Sequence, residues 1–298
     1  MMFSIVIPTF KRNELLRKCL NSLSMQSYKD FEVVIVNDNP FEILSIDESD
    51  YSFKVIVVNN GINKGPSASR NIGVKNSNGS WIVFLDDDDE FTHDKLQIIS
   101  EIVQDEVDVI YHRAKINLVN ENKSYITSNN FHNLTFNDSL YHELLTKNVV
   151  GGAPLCTVKK SVFTEVGGFD INLHAMEDYE FAIRLAKNKF NFRFIEDVLI
   201  TCNYISSKSS VSKHIDNNLT ALKSIESKYI NDYNLLSKKK LLEHKAWCCS
   251  SIGYKQALML NRVSSLSYIK AFIYSRSVKF LIASAVVLIS PKLLLKIR

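Results

Sequence analysis

The sequence predicts an open α/β fold, a mostly parallel sheet flanked by helices, followed by a helical C-terminal extension. Three observations carry this. Short β-branched apolar runs alternate with segments of helical spacing, as in a sheet wound by crossover connections. Each run closes on a polar cluster, and past residue 205 the helical pattern takes over.

Taken in order, Phe3 to Ile7 reads as a buried parallel strand ending at Pro8-Thr9. Asn13 is placed to cap a helix over Glu14 to Met25, with Leu15, Leu16, Cys19, Leu20 and Leu23 on one face. A second strand, Phe31 to Val36, ends at Asn37-Asp38-Asn39-Pro40, and a third, Phe53 to Val58, ends at Asn59-Asn60-Gly61. A helix over Pro66 to Lys75 leads to a fourth strand, Trp81 to Leu85, which runs into Asp86-Asp87-Asp88-Asp89. Ligands in such sheets bind beyond the carboxyl ends of the strands. The polar clusters at 8–9, 37–39 and 86–89 all fall on that edge.

Further strands are expected at Val107 to Tyr111, around Leu155 to Val158, and from Phe192 to Asn203, with a helix over Glu177 to Ala186. The polar stretch Asn117 to Asn148 is less regular. These elements make a catalytic domain of residues 1–205, and the Ser/Lys-rich stretch Ser206 to Lys213 reads as a linker to a helical region, 206–298. Its last segment, 279–298, is apolar from Phe280 to Ile289 but about half the length of a membrane span. Arg276, Lys279, Lys292, Lys296 and Arg298 interleave with it, which predicts an interfacial helix on anionic lipid.

Composition narrows the function classes. Of 298 residues, 46% are hydrophobic and 23% charged, so the chain is globular and not disordered. Lys and Arg number 36 against 32 Asp and Glu, a net charge of +4, too mild for a dedicated nucleic-acid binder. Five scattered cysteines include no C-x-x-C pair and read as reduced thiols. The N-terminus has no basic region ahead of its apolar run and reads as a first strand, not a signal peptide. A cytoplasmic protein is expected, peripheral on the membrane face.

Chemistry concentrates in three places. Four adjacent aspartates at a strand end repel one another, and a cation is their natural complement. Hard carboxylate oxygens suit Mg²⁺ or Mn²⁺, which keep open positions for a diphosphate. An EF-hand fails here, since its sixth and twelfth positions from Asp86 would be Phe91 and Gln97. G-x-G-x-x-G and Gly-Lys phosphate loops are absent. The second place is Asn63-Lys64-Gly65-Pro66-Ser67-Ala68-Ser69-Arg70-Asn71, a tight turn into a helix that carries Arg70. The third is Gly167-Gly168-Phe169-Asp170 followed by Glu177-Asp178, two carboxylates opening a helix whose dipole favours their ionised form. One of them is a candidate general base.

Together SIVIPTFKR, VVIVNDNP, NKGPSASRNIG, FLDDDD and GGFD with ED resemble, in order, the motifs of glycosyltransferase family 2, the inverting nucleotide-sugar transferases of GT-A fold. The resemblance covers Met1 to about Tyr204. It implies that Pro8, Thr9 and Arg12 line a nucleotide pocket, that Asp38 reads the base edge, and that Asn63 and Arg70 lie at the donor, Arg70 near the diphosphate. It also implies that Asp86 and Asp87 lie at the donor, with Asp86 and Asp88 the D-x-D pair and Asp88 on Mn²⁺ or Mg²⁺, and that Asp178 is the base with Glu177 beside it.

The chain departs from the family pattern at Asn37 and Asn39-Pro40, where Asp-Asp-Gly-Ser is usual. Asp87 and Asp89 form a second D-x-D register. Asp86 and Asp88 are preferred because they follow Phe84-Leu85 directly. The expected activity is transfer of one sugar from a nucleotide-diphosphate sugar, a UDP-sugar first, to a saccharide or lipid-linked saccharide in surface-polysaccharide synthesis. The competing readings are a metal-dependent phosphatase of haloacid-dehalogenase type and a non-catalytic nucleotide-sugar-binding protein.

Overall fold

The structure is a computed structural model that describes residues 2–103, 106–127, 138–206 and 214–297. The expected linker, apart from Ser206, lies outside the described residues, as does 128–137 of the polar stretch. Among the described residues, nine strands form one sheet in the order β3-β2-β1-β4-β8-β6-β9-β5, with β7 on β6. The first half is the parallel part: β1 (Phe3–Thr9) lies between β2 (Phe31–Asn37) and β4 (Trp81–Phe84), and β3 (Lys54–Asn59) pairs with β2. β1, β2 and β4 are buried on both faces, which is why they read as largely apolar runs, whereas β3 at the sheet edge is only partly buried.

The second half departs from a uniformly parallel sheet. β8 (Cys156–Lys159) inserts antiparallel between β4 and β6 (Val109–Leu118), and β6 pairs parallel with β9 (Phe192–Tyr204). The two-residue β5 (Glu90–Phe91) closes on β9, and the expected fifth strand is twice as long as its apolar core because its outer part hairpins with β7 (Lys123–Ile126). The next described element is the short helix α4 (Asp138–Thr146).

Helices α1 (Asn13–Ser24), α2 (Gly65–Lys75) and α3 (Lys95–Ile102) flank the parallel half. Asn13 does not cap α1. Its amide donates instead to the Glu42 carboxylate in the loop after β2 at 2.9 Å, and no side chain caps the helix. Helix α2 packs so closely on β1 and β2 that a Cβ at Gly73 would fall 2.4 Å from Val6, so a glycine is required there.

Helices α5 (Lys160–Glu165) and α6 (Glu177–Lys187) cover the second half, and α7 to α12 follow, with α7 at Ile215–Lys228, α8 at Ile230–Leu235, α9 at Lys238–Leu258, α10 at Ser264–Ser275, α11 at Val278–Ile289 and α12 at Pro291–Ile297. Phe84, Phe163, Phe169 and Phe181 form one aromatic cluster beneath the ends of β4 and α6, with centroids 4.8 to 5.6 Å apart. This cluster is the floor on which the site rests. No helix among the described residues is long and apolar enough to cross a membrane.

Candidate active site

The aspartate run leaves β4 as a tight turn, and its side chains alternate between core and mouth. Asp87 and Asp89 are buried at 4% and 5% exposure, whereas the Asp86 and Asp88 side chains are 34% and 33% exposed. Asp87 is an internal clasp: its carboxylate accepts from the Thr9 hydroxyl at 2.7 Å and from Arg12 at 3.0 Å. Asp89 accepts from the Asn203 backbone N–H of β9 at 3.1 Å, while the Asn203 amide donates to the Asp88 carbonyl at 3.1 Å. Arg12 spans from Asp87 to Asp88, at 2.8 Å from the latter.

Burial pushes the Asp87 and Asp89 carboxyls above their usual range, the neighbouring Asp86 and Asp88 adding to the shift at Asp89. Asp88 is pushed up to about 6, first by burial and then by Asp86, against the pull of Arg12. Four carboxyls crowd one turn, and only Arg12, on Asp87 and Asp88, and Arg70, on Asp86, stand against them as ion-pair partners among the described residues. Two half-open hard-oxygen donors two residues apart, in an electron-rich setting, fit a divalent cation of the Mg²⁺ or Mn²⁺ class.

Arg70 joins this cluster to the opposite wall. Buried on α2, it donates through one terminal nitrogen to Asp86 at 2.6 Å and through the other to Glu177 at 2.9 Å. Asn71, the next residue, clamps the glycine motif by accepting from the Phe169 N–H at 2.9 Å and donating to the Phe169 carbonyl at 2.8 Å. Gly168 has φ +71°, and a Cβ there would lie 2.6 Å from the Asn71 oxygen. The second and third sequence motifs are thus one interlocked unit.

The chain from Phe169 then reaches Met176, itself left-handed at φ 59°, and opens α6 with Glu177 and Asp178. One Asp178 oxygen accepts from the Tyr179 N–H at 2.7 Å; the other faces Gly152, where a Cβ would stand 3.4 Å away. Burial raises the Asp178 carboxyl to about 7, with Glu177 contributing and Arg70 and Lys255 opposing. A carboxylate titrating near neutrality at a site wall is suited to accept a proton.

The remaining predicted residues take more structural parts. Both oxygens of buried Asp38 are engaged, with Asn60 at 2.8 Å, the Lys64 N–H at 2.9 Å and the Gly65 N–H at 2.8 Å, so it caps α2 from across the sheet edge. Asn37 orders the same loop through Glu42 and Asn59. Pro8 is half-buried at the end of β1, and Asn63 is exposed in the loop before α2. Two groups behind the site carried no signal in the sequence. Lys95, fully buried on α3, donates to the Pro154 carbonyl at 3.2 Å, and its pKa is lowered to about 7 by burial. Lys255, on α9, interacts with Asp178 and Glu177. Neither lies in a local pattern that would mark it.

Comparison with known proteins follows from this geometry. Residues 4–167 match the family described as Glycosyl transferase family 2. The chain is 31% identical over 300 residues to a Haemophilus influenzae protein named "Uncharacterized glycosyltransferase", covering 100% of this chain and 99% of that one. It is 26% identical over 222 residues to the amylovoran biosynthesis glycosyltransferase AmsB of Erwinia amylovora, covering 71% and 72%.

Among solved structures, S. aureus TarS 1-349 in complex with UDP-GlcNAc superposes with a TM-score of 0.56 at 17% identity, covering 93% of this chain and 90% of that one. The mannosyltransferase PcManGT of Pyrobaculum calidifontis, in complex with GDP-Man and Mn²⁺, gives 0.58 at 16% identity, covering 96% and 79%. These likenesses establish the shared fold, and with the family match over more than half the chain they show that the protein belongs to glycosyltransferase family 2.

Proposed function

We propose that this glycosyltransferase moves a sugar from a nucleotide-diphosphate sugar, a UDP-sugar in the first instance, to a hydroxyl of a saccharide or lipid-linked saccharide, with inversion, in cell-surface polysaccharide synthesis. The observation that carries the reading is the Arg70 fork, which holds Asp86 and Glu177 on one guanidinium and so links the aspartate run to the carboxylate next to Asp178. Asp86 and Asp88 would hold a divalent ion, which when bound neutralises charge on a diphosphate leaving group.

Asp178 takes the proton of the acceptor hydroxyl as that oxygen attacks the anomeric carbon from the face opposite the diphosphate. Arg70 orients the two carboxylate clusters and lies near the diphosphate. Pro8, Thr9, Arg12 and Asp87 form the nucleotide wall, Thr9 and Arg12 by holding Asp87. Asp38 lies at the base edge, fixing the loop before α2, and Asn63 in that loop lies at the donor. The fold neighbours bound to UDP-GlcNAc and to GDP-Man with Mn²⁺ name the two donor classes to test first.

The domain reading, 1–205 catalytic with 206–298 helical, extends to a place of action. From His244 to Arg298 the chain has nine Lys and Arg and no Asp or Glu. Helix α10 buries Ser264, Ser265, Tyr268 and Ala271 while exposing Leu266 and Ile273; α11 buries Ser284 and Val287 while exposing Leu281, Ile282, Leu288 and Ile289. Helices that turn serines inward and leucines outward, with cations alone among their charges, suit the surface of an anionic membrane.

The central test is thermal stabilisation by UDP, GDP and their sugars with and without Mn²⁺. A Mn²⁺-dependent rise for one nucleotide, lost in Asp88→Ala and kept in Asp178→Asn while turnover disappears, supports the reading. No metal-dependent rise with any donor refutes it. Flotation with vesicles containing anionic phospholipid tests the surface: Leu281→Glu/Ile289→Glu is expected to abolish co-flotation, and equal flotation would overturn that part.

A further inference from the structure

Helix α9 lies outside the stretch that matches the family, yet it is pinned to the catalytic half at four points. Lys240 pairs with Glu143 at 2.6 Å, and the His244 ring meets the Thr146 carbonyl at 3.1 Å, both on α4. Trp247 packs on Tyr179, the residue after Asp178, with ring centroids 5.0 Å apart. Tyr254 meets Tyr125 of β7, hydroxyl to hydroxyl, at 2.8 Å.

These contacts fix both the rotation and the axial position of the helix. Residues 247, 251 and 255 follow at i+4 and share one face, so the face that carries Trp247 onto α6 also carries Lys255. At 1.5 Å per residue Lys255 stands about 12 Å further along, next to the Tyr254 contact. Its ammonium interacts with Asp178 and Glu177, and burial lowers its pKa despite them.

The other groups acting on Asp178 are already committed or uncharged. Glu177 on the same helix repels it, and Arg70 on α2 spends both terminal nitrogens on Asp86 and Glu177. Tyr111 on β6 and Cys156 on β8 are neutral at pH 7, both raised by burial. A cation from α9 therefore meets a carboxylate that burial and Glu177 push toward its protonated form.

We propose that Lys255 is a positioning residue for Asp178: α9 sets its ammonium opposite the carboxylate, keeping the base ionised and making the C-terminal helices part of the catalytic apparatus. The proposal rests on the reading of Asp178 as the base.

Its test has an arm that needs no turnover. In full-length protein carrying ¹³Cγ-labelled aspartate, the Asp178 resonance is identified by Asp178→Asn and followed against pH. The midpoint is expected to rise by about one unit in Lys255→Met and to stay at the wild-type value in Lys255→Arg. In parallel, the rise of UDP release from UDP-GlcNAc with pH, measured with Mn²⁺, should shift by the same interval, costing about tenfold in rate below the midpoint and nothing at pH 9. Lys255→Gln serves where the methionine variant fails to fold. An Asp178 midpoint unmoved in a folded Lys255→Met or Lys255→Gln protein overturns the proposal. Absence of UDP release by the wild type instead counts against the transferase reading with this donor and leaves the titration to decide the role of Lys255.

Discussion

Replacing Arg70 separates the two jobs assigned to it. Its guanidinium is buried and forked, with one terminal nitrogen on Asp86 and the other on Glu177, so its geometry matters as much as its charge. In Arg70→Met both carboxylates lose their partner. Breaking a buried pair costs about 3 to 5 kcal/mol, and the lower end applies because the Asp86 side chain is one-third exposed. At about 2 °C per kcal/mol for a chain of this size, the melting temperature should fall by about 6 °C. Arg70→Lys keeps the charge but one ammonium cannot serve both acids, so one charged hydrogen bond, about 2 kcal/mol, is lost.

Calorimetry at pH 7.5 without metal should rank wild type above lysine above methionine. Nucleoside-diphosphate release should fall about 30-fold in the lysine variant and further in methionine, since 1.4 kcal/mol is tenfold in rate. Equal melting temperatures and rates in wild type and Arg70→Met would show that the fork neither holds the site together nor orients it.

Four other outcomes follow from the same geometry. Turnover should rise with pH through about 7, because Asp178, raised by burial and by Glu177, accepts a proton only when ionised; a rate flat from pH 5 to 9 contradicts its role as base. The same raised pKa means that ionising Asp178 strains the folded state, a penalty absent below the ordinary aspartate value near 4 and complete above about 7. Asp178→Asn should therefore melt higher than wild type at pH 8 and equal to it at pH 3.5, even as activity is lost. Asn71→Asp removes the donor to the Phe169 carbonyl and should cost about 2 to 4 kcal/mol in chemical denaturation, counting the lost bond and the stranded acceptor. Asp38→Ala uncaps the Lys64 and Gly65 N–H groups and should cost about 1 to 2 kcal/mol of stability and raise KM for the donor by loosening the loop at the base edge; an unchanged KM would take Asp38 out of the donor site.

Strands β1, β2 and β4 were legible because burial on both faces demands largely apolar runs, and their ends because Pro8-Thr9, Asn37 to Asn39 and the aspartates cannot continue a buried ladder. A glycine at 65 and a proline at 66 announced the start of α2 in the same local way. These signals act within a few residues, through backbone sterics and hydrogen bonding, and so survive in a single sequence. The mixed pairing of the second half was not legible: β8 lies between β4 and β6 by topology, and its four residues carry no mark of strand direction.

The site divides along the same line. That carboxylates gather at the end of β4 and at the start of α6 followed from their order in the sequence. Which of the four aspartates face outward did not, because the alternation that opens Asp86 and Asp88 and shuts Asp87 and Asp89 depends on Thr9, Arg12 and Asn203, which meet Asp87 and Asp89 across 75 to 114 positions. Arg70 meets Glu177 across 107 residues and Asn71 meets Phe169 across 98, and Lys255 reaches Asp178 from a helix outside the motif-bearing half. The elements, and the chemistry available at their ends, are written in the order of the residues, since short-range interactions set both. Which of those groups meet emerges from the folded chain, because contacts between distant segments are chosen by how the whole sheet and its helices pack.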